Sequence, residues 1–328
     1  MRGLDNLDHR LLDAFQRDLP LVPRPYAAMG EQLGISEAEV ITRLARLKTG
    51  GLVSRVGATI RPNTAGSSTL AAMAVPPGRI EEVAAIVGAE AGVNHSYLRD
   101  DDWNLWFVAT APDAAALERT LARISERAKL RVLDLRLVRP FNIDLGFSLS
   151  GGQTPARVRP PLRREVLTPE DAPLLQALSE GLALVPDPFA VLAASLNLDE
   201  HALLDRLRIL QAAGIITRLG VIVLHRGMGW TANAMIVWDI AEEGIAEAGP
   251  LAAGCPGVTL CYQRRTVPGL WPYALYTMVH ARTRDEALAV LDTLRALPPF
   301  SGVPHRVLFS TRCFKQTGAL LHQREAAA

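Results

Sequence analysis

Three side chains spaced two residues apart, His95, Tyr97 and Arg99, carry the strongest chemical signal in this chain. They lie in the stretch VNHSYLRDDDWNLWF at 93–107, and in a β-strand residues i, i+2 and i+4 share one face. His95, Tyr97 and Arg99 then point one way, and Asn94, Ser96 and Leu98 the other. An imidazole titrates near neutral pH and can move a proton. A guanidinium pairs with a carboxylate through two parallel hydrogen bonds. Side by side on one sheet face, they are an unusual set unless something must be gripped. Asp100 to Asp102 read as a polar turn and Trp103 to Phe107 as a returning strand, so the stretch is a hairpin.

The chain contains this hairpin twice. VTLCYQR at 258–264 matches VNHSYLR, so Tyr262 and Arg264 repeat Tyr97 and Arg99 while Leu260 replaces His95. ALYTMVHA at 274–281 matches NLWFVATA at 104–111, and period-two counting puts His280 on one face with Tyr276 and Met278. RCFKQTGAL at 312–320 matches RPFNIDLGF at 139–147. Upstream, LPLVPRPY at 19–26 matches LALVPDPF at 182–189, and residues 33–57 match 196–220 without a gap. Self-similarity on this scale is a duplication. The join at 150–171 is rich in Pro, Gly and Arg, as a linker would be.

Within each copy the elements follow from periodicity. Leu7, Leu11, Leu12 and Phe15 form a helical stripe, Tyr26 to Leu33 a second helix, and Gly34 a break. Ser36 with Glu39 three residues on has the form of a capping box for a third helix, whose stripe is Val40, Leu44 and Leu47. LVSRVGATI follows as a strand pair or wing, giving a winged helix-turn-helix. Then come a strand at 70–75, a helix at 80–90, the 93–107 hairpin, a helix from Asp113 to about Arg127 and a strand at 132–138. That order, βαββαβ, is ferredoxin-like, with both helices on one face of an antiparallel sheet.

The fold class is therefore α+β, a tandem duplication of a winged helix-turn-helix domain and a ferredoxin-like domain. Helix-turn-helix domains are expected at 1–60 and 172–224, and ferredoxin-like domains at 61–149 and 225–328. The sheet faces left open by the helices are expected to pair between copies as a pseudo-dimer within one chain. A further homodimer is left open.

Composition narrows the function classes. Over 328 residues the net charge is +1, which argues against a strongly basic nucleic-acid footprint. Cys255, Cys261 and Cys313 are widely spaced with no CxxC pair, which fits a reducing cytoplasm rather than a disulfide framework or a cysteine zinc site. The N-terminal stretch carries charges throughout and lacks the apolar core of a signal peptide, and no apolar run approaches a membrane span.

A helix-turn-helix followed by a ferredoxin-like sheet resembles the Lrp/AsnC family of transcription regulators, which implies DNA binding. The third helix argues against it, because its first turn brings Glu37 and Glu39 in one copy, and Asp199 and Glu200 in the other, toward phosphates. Those carboxylates also suit the helix dipole and the cap.

The two hairpins, together with LFSTRCFKQTGA near the end, resemble the siroheme decarboxylases, Lrp/AsnC-like enzymes built of two related subunits or one fused chain. That resemblance implies a carboxy-lyase that removes carbon dioxide from two acetate side chains of siroheme, giving didecarboxysiroheme on the way to heme d1. His95, His280 and Tyr97 are the expected catalytic residues, with His95 first as the proton donor. The expected substrate-binding residues are Arg99, Asn104, Trp106, Tyr262, Arg264, Arg265 and Tyr276 on the hairpins, with Arg312, Lys315, His225 and Arg61 elsewhere. His225 could equally be a ligand to the substrate's iron or a surface residue. No cofactor is expected beyond that iron, since the conjugated ring itself can take up electrons, and no metal site of the protein's own. A non-catalytic tetrapyrrole sensor would need the same arginines but no proton donor, and substitution of His95 and His280 separates the two.

Overall fold

The structure, a computed structural model, describes residues 4–143 and 160–322. Residues 150–159 of the expected linker, and 144–147 of the repeat RPFNIDLGF, lie outside the described residues. In the first copy the elements are α1 (Asn6–Phe15), α2 (Pro25–Leu33), α3 (Glu37–Thr49), β1 (Val53–Ile60), β2 (Ser67–Met73), α4 (Ile80–Ala89), β3 (Val93–Arg99), β4 (Leu105–Ala111), α5 (Ala114–Ala128) and β5 (Leu133–Asn142). The second copy repeats them as α6 (Asp171–Glu180), α7 (Pro188–Ser195), α8 (Glu200–Ala212), β6 (Ile216–Val223), β7 (Ala232–Trp238), α9 (Glu242–Gly254), β8 (Val258–Arg264), β9 (Leu275–Ala281), α10 (Arg284–Arg295) and β10 (His305–Gln316).

The chain forms two compact units, one from 1–65, 146–229 and 321–328, the other from 66–145 and 230–320. The copies are thus not separate bodies; each unit is built from both. In the helical unit the wing is not a hairpin within a copy. β1 instead pairs antiparallel with β6 of the other copy, Gly57 opposite Gly220. These two glycines are where each wing crosses the first helix of the other copy. A Cβ on Gly57 would fall 2.5 Å from the Leu178 carbonyl oxygen, and one on Gly220 2.4 Å from that of Phe15. Ser36 caps α3 by accepting from the Glu39 N–H at 3.2 Å, but the Glu39 carboxylate turns to Arg43 instead, so that capping box is half formed. The reciprocal box is at α1, between Asp5 and Asp8.

The second unit is a closed eight-stranded barrel in the order β10-β3-β4-β2-β5-β8-β9-β7. The open faces of the two ferredoxin-like sheets meet around one shared core, as expected of a pseudo-dimer within one chain. The sheets join edge to edge, because β5 and β10 each change partners halfway along. β5 pairs with β2 through residues 133–136 and then with β8 through 137–142. β10 pairs with β7 through 305–309 and then with β3 through 310–316. This double duty explains strands of 10 and 12 residues where their neighbours have 7. Closure also leaves no sheet edge open to stray pairing.

Alternation sorts the side chains into three cores. Under α4 and α5 lie Val83, Val87, Leu117 and Ile124 with Met73, Val93 and Phe107 of the sheet. Under α9 and α10 lie Ile245, Ala252 and Leu294 with Ile236, Trp238 and Cys261. The third fills the barrel: Leu70, Ala72, Trp106, Leu135, Met235, Tyr262, Trp271, Tyr276, Met278 and Leu308.

Substituting Gly220→Ala is expected to destabilise the chain by about 1–3 kcal/mol, since backbone rather than a movable side chain opposes the new methyl. Gly78→Ala, with nothing within 4 Å of its Cβ, is the control, and thermal or denaturant unfolding reads the difference.

Candidate active site in the barrel lumen

A register shift decides what the lumen receives. Between Val93 and His95 the β3 ladder slips, so that Val93 packs under the helices while His95 opposes Val108 and Tyr97 opposes Trp106 on the lumen side. The same slip occurs between Val258 and Leu260 on β8. Directly opposed residues share a face, so His95, Tyr97 and Arg99 line the lumen from one copy and Leu260, Tyr262 and Arg264 from the other.

Arg99 is 6 % exposed and makes a single hydrogen bond, from Nη1 to the Leu308 carbonyl at 2.9 Å. Its carbon stands 6.0 Å from the centre of the Tyr97 ring, and its Nε is buried without a partner. Among the described residues no carboxylate forms an ion pair with it. Burial pushes its pKa down to about 10, with Tyr262, Tyr97 and Asp100 opposing the shift. Arg264 repeats the arrangement: Nη1 donates to the Leu135 carbonyl at 2.8 Å, the guanidinium lies 4.5 Å from the Tyr262 ring centre, and Nε is again buried and unpartnered. Ser310, opposite Arg99 on β10, adds a buried hydroxyl with no partner. One buried and one half-buried guanidinium, neither paired with a carboxylate among the described residues, form a site suited to anions.

The two histidines differ in their support. Nδ1 of His95 is 2.9 Å from Asn94 Oδ1, and the ring stacks on Tyr97 at 6.4 Å between centres and 25° between planes. His280 sits between Thr259 Oγ1 at 2.7 Å from Nδ1 and Asn233 Nδ2 at 3.0 Å from Nε2. Its ring keeps some accessible surface but is enclosed by protein, and burial with the nearby Arg99 charge pushes its pKa down to about 4. Tyr276 and Trp106 form lumen wall: Trp271 Nε1 donates to the Tyr276 hydroxyl at 2.8 Å, and Trp106 packs edge-on against Trp271 at 5.2 Å. Burial raises the Tyr276 phenol well above its ordinary range. Tyr276 also stacks on Tyr262 at 5.6 Å.

Several expected ligand contacts lie elsewhere. Asn104 spends its amide on the Val75 backbone, accepting from N–H at 2.9 Å and donating to the carbonyl at 2.8 Å, so it is a staple of the hairpin. Arg312 faces outward, paired with Glu81 of α4 and 4.5 Å from the Phe314 ring centre. Lys315 donates to the Gly88 and Glu90 carbonyls at 2.8 and 3.1 Å, holding the C-terminal end of α4 where the helix dipole is negative. Two slips, between Ser310 and Arg312 and between Cys313 and Lys315, turn that strand's cations outward, leaving Cys313 and Gln316 opposite Tyr97 and His95. Arg265 is exposed in the turn after β8. Arg61 and His225 belong to the helical unit; Arg61 follows β1, and the side chain of His225 lies outside the described residues. Asn233 and Thr259 were missed. Thr259 aligns with Asn94 in the repeat, and Asn233 is the lone polar residue of the apolar strand ANAMIVW.

Arginines of α3 and α8 are engaged within the helical unit. Arg43 of α3 reaches Asp5 at 2.6 Å, Asp8 at 2.9 Å and Glu39 at 2.6 Å, and Arg46 reaches Asp8 at 2.6 Å. In the second copy Arg206 is 2.7 Å from Asp171, and Arg208 2.6 Å from Asp205. Guanidiniums committed to carboxylates offer little to a phosphate backbone.

Comparison with known proteins agrees with this division. Residues 65–141 and 227–315 match the AsnC-like ligand binding domain, and 8–53 and 171–216 the siroheme decarboxylase NirDL-like helix-turn-helix domain. The siroheme decarboxylase NirDL subunit of Paracoccus denitrificans is 59% identical over 97% of this chain and 98% of its own length. The siroheme decarboxylase NirD subunit of Pseudomonas aeruginosa is 47% identical, aligned over 46% of this chain and all of its own. A crystal structure of the siroheme decarboxylase NirDL in co-complex with an iron-uroporphyrin III analogue superposes with a TM-score of 0.68 at 30% identity, covering 96% of this chain and 94% of that one.

The His280 shift has a consequence for stability. Between pH 6.5 and about 4 the unfolded chain takes up a proton at His280 that the folded chain refuses. Its contribution is thus complete above pH 6.5 and is lost as pH falls through that window. Denaturant melts of the wild type and His280→Gln across this range should differ in slope by up to one proton, the variant being the flatter.

Proposed function

This chain belongs to the siroheme decarboxylase family, and we propose that it removes carbon dioxide from two acetate side chains of siroheme in the barrel lumen, giving didecarboxysiroheme on the route to heme d1. The observation that carries the assignment to this place is the pair of lumen guanidiniums beside tyrosines, Arg99 buried and Arg264 half-buried, with no carboxylate partner among the described residues. A tetrapyrrole bearing many carboxylates supplies the missing counter-charges.

The chemistry divides the substrate's carboxylates into two kinds. A carboxylate that is to leave as carbon dioxide loses its charge on the way to the transition state, so a guanidinium bound to it would stabilise the starting state and slow the reaction. Arg99 and Arg264 therefore hold carboxylates that stay, and the leaving ones lie against apolar wall such as Met278 and Val108. The electrons left behind are taken up by the conjugated ring, so the reaction needs no cofactor beyond the iron that siroheme brings. What remains is a proton for the new methyl carbon. His95 is the donor, its Nδ1 hydrogen bonded to Asn94 and its plane braced by Tyr97. His280, held neutral by its burial and the nearby Arg99 charge, is the second histidine of the lumen. One chain supplies both halves of this lumen, which is why the duplication has diverged: His95 faces Leu260 in the repeat, and His280 faces Thr110.

Purified protein incubated anaerobically with siroheme should yield a product lighter by two carbon dioxide units in mass spectrometry. His95→Gln should bind siroheme as the wild type does and turn it over about 10²–10⁴-fold more slowly, the usual worth of a general acid. Arg99→Leu should instead weaken binding roughly 10- to 100-fold, the worth of a charged hydrogen-bonded contact. Tight binding of siroheme by the wild type without any loss of mass would leave a sensor, not an enzyme.

A further inference from the structure

The hydrogen bonds around His280 define its proton state, which makes two uncharged neighbours part of the reaction. Thr259 Oγ1 has one hydrogen, and the Met278 carbonyl oxygen 3.0 Å away can only accept it. At 2.7 Å from His280 Nδ1 the hydroxyl must therefore accept, so Nδ1 carries a hydrogen. On the other side of the ring stands the Asn233 amide nitrogen, 3.0 Å from Nε2, and an amide nitrogen can only donate. Nε2 is then a bare lone pair. Both contacts are satisfied by one species, the neutral ring with its hydrogen on Nδ1.

The cost of this arrangement falls on Asn233, whose Oδ1 is buried without a hydrogen-bond partner. Rotating the amide by half a turn exchanges Oδ1 for Nδ2. The oxygen would then accept from Nε2–H, which exists, with Nδ1 still bound to Thr259, only on the imidazolium. The amide thus has one orientation for each proton state. We propose that Thr259 and Asn233 are positioning residues of the reaction: Thr259 fixes His280 as the Nδ1–H tautomer, and Asn233 reverses its amide when Nε2 takes up a proton. This rests on the decarboxylase reading for its place in catalysis, but not for the tautomer itself.

The surroundings say when that proton arrives. The elements bearing on the ring bring Thr259 from β8 and Asn233 from β7, both uncharged, and Arg99 from β3 is the charged group that acts on it. Arg99 opposes the imidazolium while its own charge is unpaired. A carboxylate seated on Arg99 removes that opposition, so loading of Nε2 follows substrate binding. The device is confined to one side of the barrel. In the repeat, His280, Asn233 and Thr259 correspond to Thr110, Ser68 and Asn94, and the Thr110 hydroxyl is directed to the Gly92 carbonyl.

The tautomer can be read in the full-length, ligand-free protein labelled with ¹⁵N-histidine, by long-range proton–nitrogen NMR, with His280 assigned by its loss in His280→Gln. At pH 7 the proposal predicts a neutral ring protonated at Nδ1, a shift of population to the Nε2–H tautomer in Thr259→Val, and return of the wild-type pattern in Thr259→Ser. A wild-type ring protonated at Nε2, or a Thr259→Val spectrum like the wild type, would overturn it. Turnover tests the role in catalysis. Asn233→Asp puts a carboxylate beside Nε2 and should move the alkaline limb of the kcat profile, where the imidazolium loses its proton, to higher pH, whereas Thr259→Val should lower kcat by up to about 100-fold with little change in KM. Equal loss at every pH in both variants would reduce the pair to packing. Absence of turnover in the wild type would instead count against the decarboxylase reading and leave the tautomer result standing.

Discussion

A positive charge enclosed in protein with no ion-pair partner among the described residues is the condition on which this structure turns. Arg99 is held by a carbonyl and the face of a tyrosine, and its removal from water is felt in a pKa lowered to about 10. Such a group is a liability to the folded chain, because no ion pair offsets its lost hydration. It is tolerated because the three apolar cores around it are large, each fully buried Leu or Phe contributing about 1.5–3 kcal/mol. The same uncompensated charge that weakens the barrel favours a carboxylate-rich ligand.

Holding the charge there requires the barrel to be closed, and closure requires the duplication. A single ferredoxin-like sheet would leave one face and two edges open. Because β5 and β10 each run on from their own sheet onto the other, both edges are consumed and the two polar strand faces are brought round a common lumen. The helical unit is interlocked by the same device, each wing lying against the first helix of the other copy through Gly57 or Gly220. Once both halves are on one chain they are free to differ. Leu260 in place of His95 and Thr110 in place of His280 are such differences, and they give the lumen one histidine from each copy on strands that do not correspond.

The repeat, the βαββαβ order and the inward face of His95, Tyr97 and Arg99 were legible in the sequence because they depend on local periodicity and on a motif present twice. Partner choice was not. Nothing in LVSRVGATI states that its partner is the other copy's wing, and nothing in β10 states that it serves two sheets. The misplaced residues follow from that. Arg312 and Lys315 are cations on a strand of the right kind, but an irregularity in the ladder turns them to α4. Asn104 looked like a ligand contact and is a backbone staple, because amides serve both purposes equally well. Thr259 and Asn233 carry no signal by residue type, and only the distances to His280 single them out.

The central proposal is that the lumen guanidiniums are the seats for carboxylates of the substrate. Determining the structure of this chain with siroheme bound tests it most directly. A substrate carboxylate oxygen within about 2.7–2.9 Å of an Arg99 nitrogen, with the ring edge turned toward His95, is the predicted result. Siroheme bound outside the barrel, with Arg99 still bonded to the Leu308 carbonyl alone, would contradict it.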